Sequence, residues 1–225
     1  SFVGEIATGA SSVFPGTISG TTLTVTAAPS NSYGGSIVFN GTTQYLSMTP
    51  GFGVGGIAYS FECFFYQTGA AIGNQATILG ASSAGGWTVS TYSNTKIEID
   101  YGGISSYTIN APFSYNVWNH LVVCRNNSGL TAVFLNGVRQ GTVTDNTNYG
   151  GTTGFIGATI GGTWRFPGSI ADLRMVTNST VYDPTLTNIT VPTTLLSPVA
   201  GTKLLLLAQN STTFTTDASN VQTIV

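Results

Sequence analysis

The stretch from Val117 to Val143, VWNHLVVCRNNSGLTAVFLNGVRQGTV, most constrains what this chain can fold into. It holds three runs rich in β-branched and aromatic residues, at 117–125, 130–135 and 138–143. Asn126-Asn127-Ser128-Gly129 is turn chemistry between the first two. Asn136-Gly137 separates the last two and can supply the two positive-φ residues of a type I′ hairpin turn. The spacing predicts three consecutive antiparallel strands. With a period of two, Trp118, His120, Val122 and Cys124 share one face of the first strand, and Leu121 and Val123 the other. Both faces read as mostly buried, which predicts a central strand of a sandwich. Trp118 is assigned to its core.

The same grammar runs along the rest of the chain. Strands are expected at 36–40, 59–67, 77–80, 87–92, 96–101, 107–110, 154–160, 169–176 and 203–208, separated by Gly, Ser and Asn. Tyr59–Gln67 alternates, with Phe61, Cys63 and Phe65 on one face and Glu62, Phe64 and Tyr66 on the other. Residues 177–198 form a polar, Pro-punctuated crossing. The closing strand is expected near the opening one, which brings the domain ends together. No helical period of useful length occurs.

Five pieces of this pattern resemble a known family: Trp118-Asn119-His120-Leu121-Val122, then Phe134-Leu135-Asn136-Gly137, then Ile156-Gly157, then Phe166-Pro167-Gly168-Ser169-Ile170-Ala171-Asp172-Leu173-Arg174, preceded by Ser36-Ile37-Val38-Phe39-Asn40-Gly41. Their order is similar to the spine of the concanavalin A-like lectin/glucanase superfamily, in its laminin-G/pentraxin-like branch. The resemblance covers about residues 31–208 and implies an all-β, two-sheet antiparallel jelly-roll sandwich. The fold hosts lectins, glucanases, adhesion modules and virion parts, so it does not by itself name a function. Residues 1–30 are set apart as an N-terminal β arm or linker, and 31–225 as one lectin-like domain. The arm string Gly16-Thr17-Ile18-Ser19-Gly20-Thr21-Thr22-Leu23-Thr24-Val25-Thr26 looks like short β modules beside such domains in structural proteins of phages and large viruses. The tail Phe214–Asn220 resembles the lead-in between tandem copies. With neither a signal peptide nor an initiator Met, the chain is expected to be a processed product or part of a longer protein.

Charge narrows the function classes. Only 6% of the 225 residues are charged and the net charge is −2, with six Lys and Arg scattered along the chain. A nucleic-acid surface needs several clustered phosphate contacts, so that class is set aside. No apolar run approaches the ~18 residues of a membrane span. Two cysteines, Cys63 and Cys124, sit in apolar strands, either as buried free thiols or as one disulfide. Five N-x-[S/T] sequons, at Asn40, Asn126, Asn178, Asn188 and Asn210, carry little information in a chain this rich in Asn, Ser and Thr.

Catalytic groups are sparse. Glu98-Ile99-Asp100 resembles the start of the laminarinase motif, but the second Glu that a retaining glycosidase needs is replaced by Gly102 and Gly103. The pair is expected to be solvent-facing. His120, the single histidine, is expected in a packed, hydrogen-bonded setting, and Asp172 with Arg174 as a local ion pair. The resemblance raises Ca²⁺, with Asp145, Asn146 and Asp183 as its candidates; no other cofactor is expected. Sugars stack an apolar face on Trp or Tyr while Asn, Asp and backbone groups bind hydroxyls. That chemistry singles out Asp145, Asn146, Tyr149, Trp164, Arg165 and Trp87 as a carbohydrate-binding set.

These readings converge on a non-enzymatic structural or surface module of a virus or phage particle, in capsid or tail. Its expected place is the virion surface, its partners other virion proteins or copies of itself, with weak, multivalent binding of cell-surface glycans. A cellular or secreted lectin or adhesin is the alternative, with an extracellular location. A glucanase-like glycoside hydrolase is the third.

Overall fold

A computed structural model of the chain describes residues 35–49, 53–81, 85–101, 104–151, 154–159, 163–207 and 218, together with the short strands at 3–6, 11–13, 24–26 and 223–224. The arm string and the 214–220 tail fall mostly outside these residues, as do Gly102 and Gly103.

The predicted centre forms as read. Strands β11 (Trp118–Arg125), β12 (Leu130–Leu135) and β13 (Val138–Thr144) follow one another antiparallel. Asn136 and Gly137 take φ of 52° and 82°, the left-handed pair that a type I′ turn requires. At the other turn the Asn126 side chain accepts from the backbone N–H groups of Ser128 and Leu130, closing it locally. On its far side β11 pairs with β6 (Tyr59–Gln67), and β6 pairs with β15 (Pro167–Thr177). One edge of β15 is shared end to end by β4 (Ser36–Asn40) and β16 (Thr202–Leu206), so the opening and closing strands do lie together. Three short strands, β1 (Val3–Ile6), β2 (Ser11–Val13) and β3 (Thr24–Thr26), continue this sheet beyond β4.

The second sheet runs β10 (Ile104–Asn110), β9 (Lys96–Tyr101), β8 (Trp87–Tyr92), β7 (Gln75–Ala81), β14 (Gly154–Ile156), β5 (Leu46–Thr49) and β17 (Thr223–Ile224). Between the sheets lies one apolar core that includes Phe39, Phe61, Cys63, Phe65, Trp87, Leu121, Val123 and Phe166. These are the inward members of each alternating set. The architecture is the all-β two-sheet sandwich that the strand pattern implies. No helix among the described residues is long and apolar enough to cross a membrane.

The outer face of the first sheet is also largely covered, by the non-regular crossing 178–198. Tyr182 and Ile189 pack on Val122, Cys124, Ala132 and Phe134, and Val191 packs on Phe64 and Ala171. Polar anchors hold this strap. The Tyr182 hydroxyl donates to Glu62 Oε2 (2.6 Å), Arg174 donates to the Ser197 carbonyl (2.7 Å), and the Val181 N–H donates to Ser60 Oγ (2.8 Å). Glu62 also takes Arg174 through both Nε and Nη2.

The structure corrects two of these expectations. Asp172 does not pair with Arg174, because a bulge between Ala171 and Arg174 breaks the alternation. Asp172 sits at φ 46° and accepts weakly from the Leu196 N–H (3.4 Å), while Arg174 reaches Glu62 across the sheet. His120 is packed against the Phe64 ring (4.7 Å), with Nε2 3.6 Å from Glu62, but among the described residues neither ring nitrogen has a hydrogen-bond partner. Of the two readings given for the cysteines, the buried free thiols hold: Cys63 faces the inter-sheet core and Cys124 the strap, on opposite sides of one sheet.

Candidate functional site

Register places the site. Trp118 lies directly across from Tyr66, Tyr66 from Ser169, and Ser169 from Val38, one row over four strands on the outer face. The next row, His120, Phe64 and Ala171, is covered by the strap, whose contacts there come from Val191. The Trp118 row lies beyond that cover and forms a hollow of about 470 Å³, within the range of small-ligand clefts. Its walls are the Trp118 and Tyr66 rings, with centroids 5.7 Å apart and planes inclined at 59°. Pro167, Gly168, Thr68 and Asn40 complete the rim.

Local chemistry fixes this geometry. Gly168 adopts φ 145°, and a Cβ there would stand 2.0 Å from the Tyr66 carbonyl oxygen, so only glycine lets β15 approach β6 so closely. The Thr68 N–H donates to the Pro167 carbonyl (3.0 Å), tying the rim across the two strands. Asn40 Oδ1 accepts from the N–H groups of Thr42, Thr43 and Gln44, which stiffens the turn at the far end. The result is an apolar hollow with two half-buried aromatic rings and a few hydroxyls, arranged before any ligand arrives.

Trp118 is therefore not a residue of the inter-sheet core. Period two assigned it correctly to the His120 face; that face looks outward. The signal that could have found the site is Tyr66. It shares its strand face with Glu62 and Phe64 and stands one residue from the strand end, where the cover gives out.

The six residues singled out from sequence are dispersed, and three are buried. Trp87 is fully buried, edge-on to Tyr59 with centroids 5.5 Å apart, because it points between the sheets. Tyr149 is 1% exposed and donates its hydroxyl to Asp145 Oδ2 (2.8 Å). Asp145 is fully buried and also accepts from the Thr147 N–H (2.9 Å) and from Arg125 (3.4 Å). The reason is Arg125. Its guanidinium donates to the carbonyls of Gly55, Ile57, Asp145 and Thr147 and lies over the Tyr59 and Tyr149 rings. The loop that looked like a sugar platform is folded inward around this cation. Burial pushes the Tyr149 hydroxyl well above the ordinary tyrosine value, and the Tyr59 and Asp145 groups add to it. Asn146 stays exposed beside the 126–129 turn, and Trp164 is 39% exposed. Arg165 lies over the Tyr45 ring at 5.0 Å, while the Trp164 carbonyl accepts from the Thr77 N–H.

The same cage answers the Ca²⁺ expectation at Asp145 and Asn146. Carboxylate and carbonyl oxygens are the ligands Ca²⁺ takes, but here a resident guanidinium already engages them. The residues present do not fit a metal. Asp183 is exposed, and its Oδ1 accepts from the Thr185 N–H and hydroxyl, which hold its carboxyl below the ordinary value. No group of three metal-ligating side chains occurs among the described residues.

Glu98 and Asp100 differ from the expected solvent-facing pair. Asp100 is 3% exposed and accepts from Gln75 Nε2 (2.8 Å). Glu98 is half-buried, and burial first, then the neighbouring Asp100, raises its carboxyl.

Residues 40–180 match the profile of a laminin G family described as the concanavalin A-like lectin/glucanases superfamily. No curated protein sequence matches the chain. Among solved structures, a proposed carbohydrate binding protein from Bacteroides ovatus ATCC 8483 is similar, with TM-score 0.56 and 17% identity over 72% of this chain and 48% of that one. Domain 4 of AbnA, an extracellular GH43 arabinanase from Geobacillus stearothermophilus solved with arabinotriose, is similar with TM-score 0.52 and 19% identity over 69% of this chain and 75% of that one. Domains LG4-5 of the mouse laminin alpha1 chain give TM-score 0.50 and 15% identity over 62% of this chain and 40% of that one. This chain thus spans about half, or less, of the Bacteroides and laminin chains. At these identities the likeness is one of fold.

Proposed function

We propose, from the premise that this chain belongs to the concanavalin A-like lectin/glucanases superfamily, that it is a non-catalytic carbohydrate-binding module whose platform is the Trp118–Tyr66 hollow. The observation that carries this is the uncovered aromatic row on an otherwise strapped sheet face. A preformed cleft with two rings and rim hydroxyls suits the C–H face and hydroxyls of a sugar. The arabinotriose complex of the AbnA domain and the description of the Bacteroides protein support the class. The finer proposal concerns setting: display in many copies on a virus or phage particle, with an extracellular lectin as the alternative. Its support is the arm string and the Asp217-Ala218-Ser219-Asn220 tail in the sequence, beside the lectin-like spine. A large stable assembly on size exclusion at physiological salt would favour the particle, and a monomer the lectin.

The test is a glycan array probed with the multimerised domain. One sugar stacked in a shallow hollow gives about millimolar affinity, which many copies raise through effective concentration. Trp118→Ala is expected to abolish the signal while Trp164→Ala keeps it. The reverse pattern would move the site to the loops bearing Trp164 and Arg165. Because Trp118 is half-buried, its loss should cost less than the ~3–5 kcal/mol of an emptied aromatic core site, so the variant remains folded. No reducing sugar should be released from laminarin or lichenan. Release that disappears in Glu98→Gln would overturn the non-catalytic reading.

A further inference from the structure

We infer that the groove takes the interior of a neutral, linear oligosaccharide, with Trp118 as the shared wall between two sugar-binding hollows. The inference rests on the carbohydrate reading above and deepens it. A second hollow, of about 340 Å³, lies on the other side of β11 and is also lined by Trp118. Its other walls are Phe113, Ser114, Val117, Asn119 and Asn136. The first hollow is built on β6, β15 and β4; the second on the 112–117 loop and the turn after β12. A ligand that used both would have to pass over the indole.

Length argues for a chain. Strands in a sheet lie ~4.8 Å apart, so the row from Val38 to Trp118 alone spans about 14 Å across the strands. The second hollow extends the track past Trp118. No single hexose ring covers that distance.

The second hollow is preformed. Asn119 Nδ2 donates to the carbonyls of Ser114 (3.3 Å) and Val117 (3.1 Å), and its Oδ1 accepts from Asn136 Nδ2 (3.1 Å). The Asn116 N–H donates to the Gln67 carbonyl (2.9 Å), and the Phe113 ring stands edge-on to Phe65 in the core. Beside these amides Val117 is 46% exposed, an apolar surface flanking the indole. One hollow thus offers aromatic and aliphatic walls, and the other amides and carbonyls.

Charge selects the sugar class. Among the described residues, neither hollow is lined by Lys, Arg, His, Asp or Glu. A sialic acid carboxylate or a sulfate brought here would lose hydration without meeting a counter-ion. Neutral hydroxyls lose little and find amide and hydroxyl partners.

The experiment is titration of the whole chain with neutral β-glucan, xylan and arabinan oligosaccharides from one to six sugars, alongside sialyllactose and heparin fragments. Affinity for the best neutral series is expected to rise at least tenfold between the monosaccharide and the tetrasaccharide. Trp118→Ala should lose binding at every length. Val117→Asp, which puts a carboxylate in the second hollow, should remove the gain with length but keep the short ligands. A multimerised domain that binds glycans with no dependence on length, or prefers the anionic ones, overturns this inference and leaves the carbohydrate reading standing. If no glycan of any kind binds, both fall.

Discussion

Replacing Arg125 with Met is expected to lower the melting temperature by roughly 6–20 °C, the fall that about 3–5 kcal/mol produces in a domain of this size. Arg125 ends β11 and is fully buried. Its guanidinium holds loop 53–58 through the Gly55 and Ile57 carbonyls, and loop 145–151 through those of Asp145 and Thr147. Met fills similar space but donates nothing. It would leave four carbonyls short of a donor, that of Asp145 buried, and the buried Asp145 carboxylate uncompensated. Arg125→Lys should fall between, because an ammonium cannot present the planar fork that reaches two loops at once. Thermal unfolding followed by circular dichroism checks the order. A melting temperature within about 2 °C of wild type for Arg125→Met, less than one kcal/mol by the same conversion, would show that the cage does not hold the loops.

That hub also marks where the sequence stops being legible. The three-strand centre could be read because its signals are local: a period of two and an Asn-Gly turn each act within a few residues. The faces of β6 were read for the same reason, with Phe61, Cys63 and Phe65 inward. What periodicity conveys is parity, not which parity is covered. Trp118 was placed on the right face and given the wrong fate, because its cover depends on where 178–198 crosses, and that segment has no repeat. Tyr149 and Asp145 looked like surface groups because they sit in a polar loop. Their burial comes from one cation whose carbonyl partners lie seventy and sixty-eight residues away in one loop and twenty and twenty-two in the other, and main-chain oxygens carry no residue type. Asp172 and Arg174 were paired by alternation, which the bulge at φ 46° cancels. The candidate site is thus a product of register plus incomplete cover, and only the register half is written in a local pattern.

The second large effect is expected at Glu62, and it should open the strap. Glu62 is 1% exposed and accepts from Arg174 and from the Tyr182 hydroxyl, joining β6, β15 and the strap. Glu62→Gln leaves the buried Arg174 guanidinium without its anion, at a cost of about 3–5 kcal/mol. Part of that loss should appear locally, as opening of 178–198 over Val122, Cys124 and Phe134. The two thiols report on this. Burial pushes Cys124 up to about 12 and Cys63 well above its ordinary value, so both are inert while covered. In Glu62→Gln a thiol reagent should modify Cys124, under the strap, at least ~10-fold faster than in wild type, with Cys63, between the sheets, lagging behind. Equal rates at both thiols would mean global unfolding and no local strap. The pH dependence divides by residue. Burial alone would raise Glu62, but His120, Arg174 and Tyr182 outweigh it and hold the carboxyl below its ordinary value. Its contribution is therefore present above the unfolded value and lost as pH falls through the folded one. Asp172 has the opposite sign: burial raises it to about 7, with Glu62 adding and the Leu196 N–H and Arg174 opposing. Between its unfolded value, near 4, and about 7 the folded chain holds a proton that the unfolded chain has released, so stability falls as pH rises through that window. Asp172→Asn should flatten this slope and stabilise the protein at pH 8, where Glu62→Gln destabilises it. Urea midpoints at pH 5 and pH 8 check the pair; an Asp172→Asn midpoint that still drops between those values would place the titrating group elsewhere.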